Sequence, residues 1–325
     1  MTQLQGTDKE TNQRVAIKLE DIYTTPMGQS ATEFEGELYP QLPNNTFPEL
    51  LWTGKTKGGL YDALVTDLLG PSLQNLWVYC DNSFGMDTLC NIAIQALQRL
   101  KALHRKGIIH NDIKPSNLAM GSGTKGNTLY IIDYGLATRY EDIQGWEKVP
   151  GGVTGTAHYA PLEAVRDKRM RSYRDDLESL GLTLVELAKG ALPWDATPSG
   201  KVLEHRERVT LDELCAGLPD VKFLLEHARS LRFEQQPNYD PLIRRFQRRR
   251  SEPGKGKTWV FDWVRRRYER MQEKMEKREA DMEMERQAQM EIGEREAHVE
   301  NRRRSRDEED DGEEEAPPRR RRRQE

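Results

Sequence analysis

The chain has 325 residues, 36% hydrophobic and 32% charged, with a formal net charge of -4 at pH 7. That length holds one large domain or two, and no apolar run approaches the roughly 20 residues needed to cross a bilayer. The polar residues 1–14 exclude a secretory leader, and three cysteines without metal-ligand spacing (Cys80, Cys90, Cys215) point to reduced thiols, so a cytoplasmic or nuclear protein is expected. Composition is ordinary as far as Trp263. Beyond it Glu, Arg, Lys, Met, Gln and Asp dominate.

Residues 15–19 alternate as a strand, with Val15, Ile17 and Leu19 on one face and Ala16 and Lys18 on the other. A small Ala16 leaves room for a flat base while the Lys18 ammonium reaches phosphates. Residues 31–42 read as a helix with Pro43 beyond its end. Glu35, one turn before Tyr39, is a candidate ion-pair partner for Lys18, and on spacing alone Glu33 and Glu37 compete with it. Lys57-Gly58-Gly59 turns the chain into an apolar strand, 60–69, which stops at Gly70-Pro71. Residues 87–106 carry apolar side chains at helical spacing, with Gly107 as the stop and His104 as a structural residue.

The next stretch carries the chemistry. Ile108-Ile109 delivers His110-Asn111-Asp112-Ile113-Lys114-Pro115-Ser116-Asn117, and Leu129-Tyr130-Ile131-Ile132 delivers Asp133-Tyr134-Gly135. Phosphoryl transfer needs a carboxylate to accept a hydroxyl proton, a cation beside the moving group and oxygen ligands for magnesium. Asp112, Lys114, Asn117 and Asp133 supply those types. Either motif alone reads equally well as a strand end or a turn. In order, and after Val15-Ala16-Ile17-Lys18, they match the protein kinase signature H-R-D-L-x-x-x-N plus D-F-G, with Asn111 for Arg and Tyr134 for Phe.

Further stretches resemble the casein kinase I family of eukaryotic protein kinases: VAIKLE at 15–20, LLGPSL at 68–73, GTAHYA at 155–160, DDLESLG at 175–181, Leu192-Pro193-Trp194, SLRF at 230–233 with Pro237 and Tyr239, and VFDW at 260–263. The likeness spans about residues 4–264. Tyr134 is also similar to the vaccinia-related kinases and residues 116–120 to tau-tubulin kinases, but LLGPSL and DDLESLG fit casein kinase I better. The resemblance implies ATP and Mg²⁺ as cofactors, with Lys18 on the α and β phosphates and Glu35 as its partner. Asp112 would be the catalytic base, Lys114 the cation near the transferred phosphate, and Asn117 and Asp133 the magnesium ligands. Ala16, Thr66 as gatekeeper, Asp67 and Leu69 of the hinge, Leu118 as pocket floor and Ile132 complete the nucleotide-binding set. Asp176 would accept backbone hydrogen bonds from the catalytic loop. Lys114 together with Thr156 implies serine/threonine specificity, on protein substrates with acidic or phosphorylated contexts.

The sequence departs from the family in four places. Gly6 aligns with the end of the nucleotide-covering segment, so the family's first strand and G-x-G-x-x-G loop have no counterpart here, and natural loss and truncation stay open. Asn111 removes the arginine that grips an activation-loop phosphate, so control by phosphorylation there is not expected. His158 stands where the family has an anion-pocket arginine, and residues 194–211 are shorter, so a weaker dependence on primed substrates is expected. Ala160-Pro161-Leu162-Glu163 restores a general kinase motif, with Glu163 expected in a buried structural ion pair.

The expectation is therefore an α+β, two-lobed protein kinase fold over 1–264, with a small lobe at 1–70 and a helical lobe at 71–264. Residues 265–305 read as a charged helix, and 306–325, with an acidic run at 307–315, Pro317-Pro318 and five arginines at 319–323, as a disordered tail. Tyr268, Met271, Met275 and Met282 follow a heptad that Arg278 and Glu285 interrupt, a weak coiled-coil seam against a solvated helix. A monomer is expected, and neither membrane nor nucleic acid as partner, because the basic groups sit in the tail. The rival reading is a pseudokinase scaffold that binds partners through the fold and tail.

Overall fold

Strands β1 (Thr2–Thr7) and β2 (Arg14–Asp21) open the fold as an antiparallel pair with Leu4 opposite Ile17. Asp8 makes the turn, its Oδ1 accepting from the amides of Glu10 and Thr11. The computed structural model describes residues 2–23, 30–42, 47–143, 155–167, 171–250 and 260–310. Helix α1 (Ala31–Leu38) starts at a Ser30 cap whose Oγ accepts from Glu33 N at 3.0 Å. It stops short of the expected residue 42 because Pro40 lacks the amide an α-helix requires, and a 3₁₀ turn takes over at Tyr39–Gln41.

Strands β3 (Leu50–Lys55) and β4 (Tyr61–Asp67) complete a sheet of order β1-β2-β4-β3. Ala16 lies opposite Thr66 and Lys18 opposite Leu64. Gly36 lets α1 press on β3, since a Cβ there would sit 2.7 Å from Thr53 Oγ1. The close approach brings Glu35 toward the sheet.

Helices α2 (Leu73–Tyr79) and α3 (Met86–His104) begin the helical part, and Gly107, at φ 72°, turns the chain out of α3. Two small ladders follow: β5 (Ile108–Ile109) pairs with β8 (Thr138–Arg139), and β6 (Leu118–Met120) with β7 (Leu129–Ile131). Beyond them come α4 (Leu162–Asp167), α5 (Tyr173–Lys189), α6 (Val202–Arg208), α7 (Leu211–Leu214), α8 (Pro219–Ser230) and α9 (Tyr239–Arg250). Leu97, Leu100, Leu180 and Leu184 on α3 and α5 are fully buried, each contributing about 1.5–3 kcal/mol by removal from water. Gly181 seats α5 on α8, where a Cβ would fall 2.6 Å from Leu225 Cγ. The VFDW stretch closes this part: Trp263 stacks on Phe261 at 4.2 Å and meets Phe84 at 5.4 Å, while Asp262 Oδ2 accepts from Gly85 N. A small sheet ahead of a helical majority is the α+β, two-lobed arrangement expected.

The chain divides into the units Met1–Val264 and Arg265–Glu325. Helix α10 (Asp262–Asp310) runs through Gly293 and past Arg306, further than the charged helix expected from composition. Tyr268, Met271, Met275 and Met282 are all exposed on it, and nothing in this single helix supports a coiled coil. The acidic run beyond Asp310, Pro317-Pro318 and the arginines at 319–323 lie outside the described residues. Among the described residues no helix is long and apolar enough to cross a membrane.

Candidate active site

The Lys18 ammonium is buried where β2, α1 and the end of β7 converge. It pairs with Glu35 and, at 2.6 Å, with Asp133 Oδ1. Burial favours the neutral amine, but the two carboxylates outweigh it and hold Lys18 above its ordinary value. Burial pushes the Glu35 carboxyl up to about 7 against the pull of Lys18. Burial also opposes ionisation of Asp133, but Lys18 prevails and holds that carboxyl below its usual range. Glu33 and Glu37 are exposed on the far side of α1, so of the three glutamates only Glu35 reaches the lysine.

Asp112 is the hub of a second network. Its Oδ1 accepts from Thr156 N at 2.8 Å and Thr156 Oγ1 at 2.9 Å, and its Oδ2 meets Lys114 Nζ at 2.7 Å and Asn117 Nδ2 at 3.0 Å. Lys114 also donates to Thr156 Oγ1 at 2.8 Å. Burial raises the Asp112 pKa, yet the bonds from Lys114 and Thr156 outweigh it and keep the group an ionised carboxylate below its usual range. Asn117 Nδ2 additionally donates to the Asp112 carbonyl at 2.9 Å.

Asp176, from α5, holds the loop that carries Asp112. It accepts from the amides of His110 at 2.8 Å and Asn111 at 2.9 Å and from His104 Nε2 at 2.9 Å. The Tyr239 hydroxyl lies in hydrogen-bond contact with His104 Nδ1 and orients the ring whose Nε2 meets Asp176. Burial raises the Asp176 carboxyl, but the His104 hydrogen bond and the other donors hold it below its ordinary value. Asn111 and Asp133 both adopt φ 67°, a left-handed conformation that Asn and Asp tolerate better than most residues. Asn111 Nδ2 donates to Leu136 O at 2.8 Å and Thr138 Oγ1 at 3.1 Å, and Arg171 donates to its carbonyl. Protein groups thus tether the segment after Asp133 directly to the catalytic loop.

A cleft of about 680 Å³ lies against the Lys18 network and reaches Ser116 of the loop that carries Asp112, within the range typical of small-molecule sites. Ala16, Lys18, Glu35, Thr66, Asp67, Leu69, Ile132 and Asp133 line it. Leu118 does not. Strand alternation along β6 turns Leu118 and Met120 into the core and Ala119 to the cleft, so the floor position belongs to Ala119. That shift was readable from the period of two. Arg171 and the Tyr239–His104 pair had no such signal, because their partners lie 60 or more residues away. Glu163 pairs with Arg174 at 2.9 Å but keeps a side chain 42% exposed, so the buried pair expected of it does not form; the buried glutamate nearby is Glu178, which meets a half-buried Arg229.

A small antiparallel sheet and a helical lobe, with a lysine held between a glutamate and the Asp133 carboxylate on a cleft wall, define a phosphotransferase class. Residues 3–245 match the family model described as protein kinase domain. The chain belongs to that family, which makes it a kinase-type transferase by descent and implies protein substrates.

Proposed function

We propose that this chain is a serine/threonine protein kinase of casein kinase I type that moves the γ-phosphoryl group of ATP to protein hydroxyls. The observation that carries this reading is the Asp112 carboxylate, ionised and bonded at once to Lys114, Asn117 and Thr156, beside a Lys18 ammonium held by Glu35 and Asp133.

The residues present fit magnesium-ATP. Asp133 is ionised and partly exposed to the cleft, and a carboxylate with an amide oxygen such as that of Asn117 suits a hard cation. Bound there, the nucleotide and its metal would supply the phosphoryl group and neutralise charge on it. Lys18 binds phosphate through its ammonium, and Glu35 keeps that ammonium extended. Asp112 orients an incoming serine or threonine hydroxyl and accepts its proton. Lys114 offsets charge as it develops on the transferred group. Thr156, bonded to both, closes the acceptor side in a way that suits a short hydroxyl side chain. Ala119 and Ala16 leave the cleft flat walls for an adenine, with Thr66 at its back and Asp67 and Leu69 along its edge.

The test is phosphotransfer from magnesium-ATP to casein by the chain and by Asp133→Asn. Transfer by the first, with a loss of about 100-fold or more in the variant, supports the reading. Silence from both, with both folded, supports the scaffold instead.

A further inference from the structure

Away from the cleft, three potential metal ligands meet around His158. Its Nε2 lies 3.3 Å from Glu186 Oε1 and 3.0 Å from Asp195 Oδ1, and the three ligand atoms fall within 4.8 Å of one another. A tetrahedral zinc ion with ligands near 2.0–2.2 Å sets its donor atoms about 3.3–3.5 Å apart. The two nitrogen–oxygen separations are already close to that span.

The outer oxygens are anchored from behind. Glu186 Oε2 accepts from the Tyr159 hydroxyl at 2.5 Å, and Asp195 Oδ2 accepts from Leu192 N at 2.9 Å. Each carboxylate therefore has one oxygen bonded elsewhere and the other turned to the imidazole, the outer-shell support that fixes metal ligands. The histidine backbone is also pinned, since Trp194 Nε1 donates to the His158 carbonyl at 3.1 Å. The nearby Arg206 guanidinium packs over Trp194 and donates to the carbonyls of Ala157 and Ala160.

Both carboxylate oxygens converge on the single Nε2 atom, an arrangement in which one dication would engage all three groups at once. Asp195 is exposed and Glu186 buried, so an ion has a path in and a shielded seat. Imidazole nitrogen with two carboxylates suits a zinc-class ion better than magnesium.

The geometry points to a second metal site, in which His158, Glu186 and Asp195 bind a zinc-class divalent ion and staple the segment carrying Thr156 to α5.

The experiment is equilibrium dialysis of the chelator-treated full chain against Zn²⁺ at pH 7.5, with Co²⁺ absorption as the spectroscopic readout, for wild type, Asp195→Asn and His158→Gln. Any binding at Asp133 or the cysteines is common to all three, so the difference reads this cluster. The expected result is one more equivalent in wild type, a tetrahedral Co²⁺ band present only there, and at least about 10-fold weaker binding in each variant. Thermal melts without metal show that the variants are folded, and Asp195→Asn, at an exposed position, is the safer of the two. Equal stoichiometry in all three overturns the proposal, as does a band that survives His158→Gln, which would mean an adventitious ion on carboxylates. No metal-dependent difference at all likewise overturns it.

Discussion

Lys18, on the cleft wall, and Asp112, on the loop beside it, belong to two networks, and each depends on a buried acid, Glu35 in the first case and Asp176 in the second. Glu35 acts through a direct ion pair, with burial pushing its carboxyl up to about 7. Asp176 acts through the amides of His110 and Asn111, which do not titrate, and its donors hold it below its ordinary value. Burial works against ionisation in both. The difference lies in the partners: one cation shared with Asp133 serves Glu35, whereas three converging N–H groups serve Asp176. The Lys18 side of the site therefore responds to conditions, and the Asp112 side is built into the core.

The largest effect that tests this contrast is on chemistry. Asp112→Asn should cut phosphotransfer by about 10²–10⁴-fold while leaving nucleotide binding, measured by calorimetry with a non-hydrolysable analogue, within a few-fold of wild type. A comparable loss of nucleotide binding would break the separation of the two networks. Next, Asp176→Ala strands three buried donors and should lower unfolding free energy by roughly 3–5 kcal/mol, read from urea melts. A variant as stable as wild type would remove Asp176 from its place as anchor.

The pH response sharpens the comparison from the other side. The folded state raises the Glu35 carboxyl from 4.5 to about 7. Its protonated form is therefore favoured by folding, and the stability that this group lends is present below 4.5 and lost as pH rises through about 7. Thermal melts of wild type and Glu35→Gln should diverge over that window, the glutamine variant gaining relative stability as pH rises. Parallel curves would mean that Glu35 is ionised throughout, like Asp176. The smallest effect is expected of Tyr239→Phe, which removes only the hydroxyl that meets His104 Nδ1. It should cost about 0.5–1.5 kcal/mol, with Asp112 chemistry preserved, because His104 still bonds Asp176 through Nε2.

Much of the site was legible because its residues arrive in short runs. Residues 110–117 and 133–135 each lie on one loop, so spacing along the chain nearly equals spacing in space. Elements of long period were equally plain: α3 was expected over 87–106 and runs Met86–His104, since seven apolar residues at helical spacing have one way to bury. Errors fell where a single residue of phase or a local exception mattered. The family resemblance assigns the cleft floor to Leu118 whereas strand alternation assigns it to Ala119, and the apolar spacing that continues to residue 42 crosses Pro40, whose missing amide ends α1.

What the chain alone determined is the fold class, the kinase family and the candidate status of Lys18, Asp112, Asn117 and Asp133, because local periodicity and motif order are properties of neighbours. Only the tertiary structure joined Tyr239 and His104 to Asp176, left Glu163 half-exposed on Arg174 while burying Glu178 against Arg229, and gathered His158 with Glu186 and Asp195. Each of those choices depends on packing between distant elements. A helix face seated by Gly36 or Gly181 decides which side chain meets a charge, and no spacing rule along the chain encodes that contact.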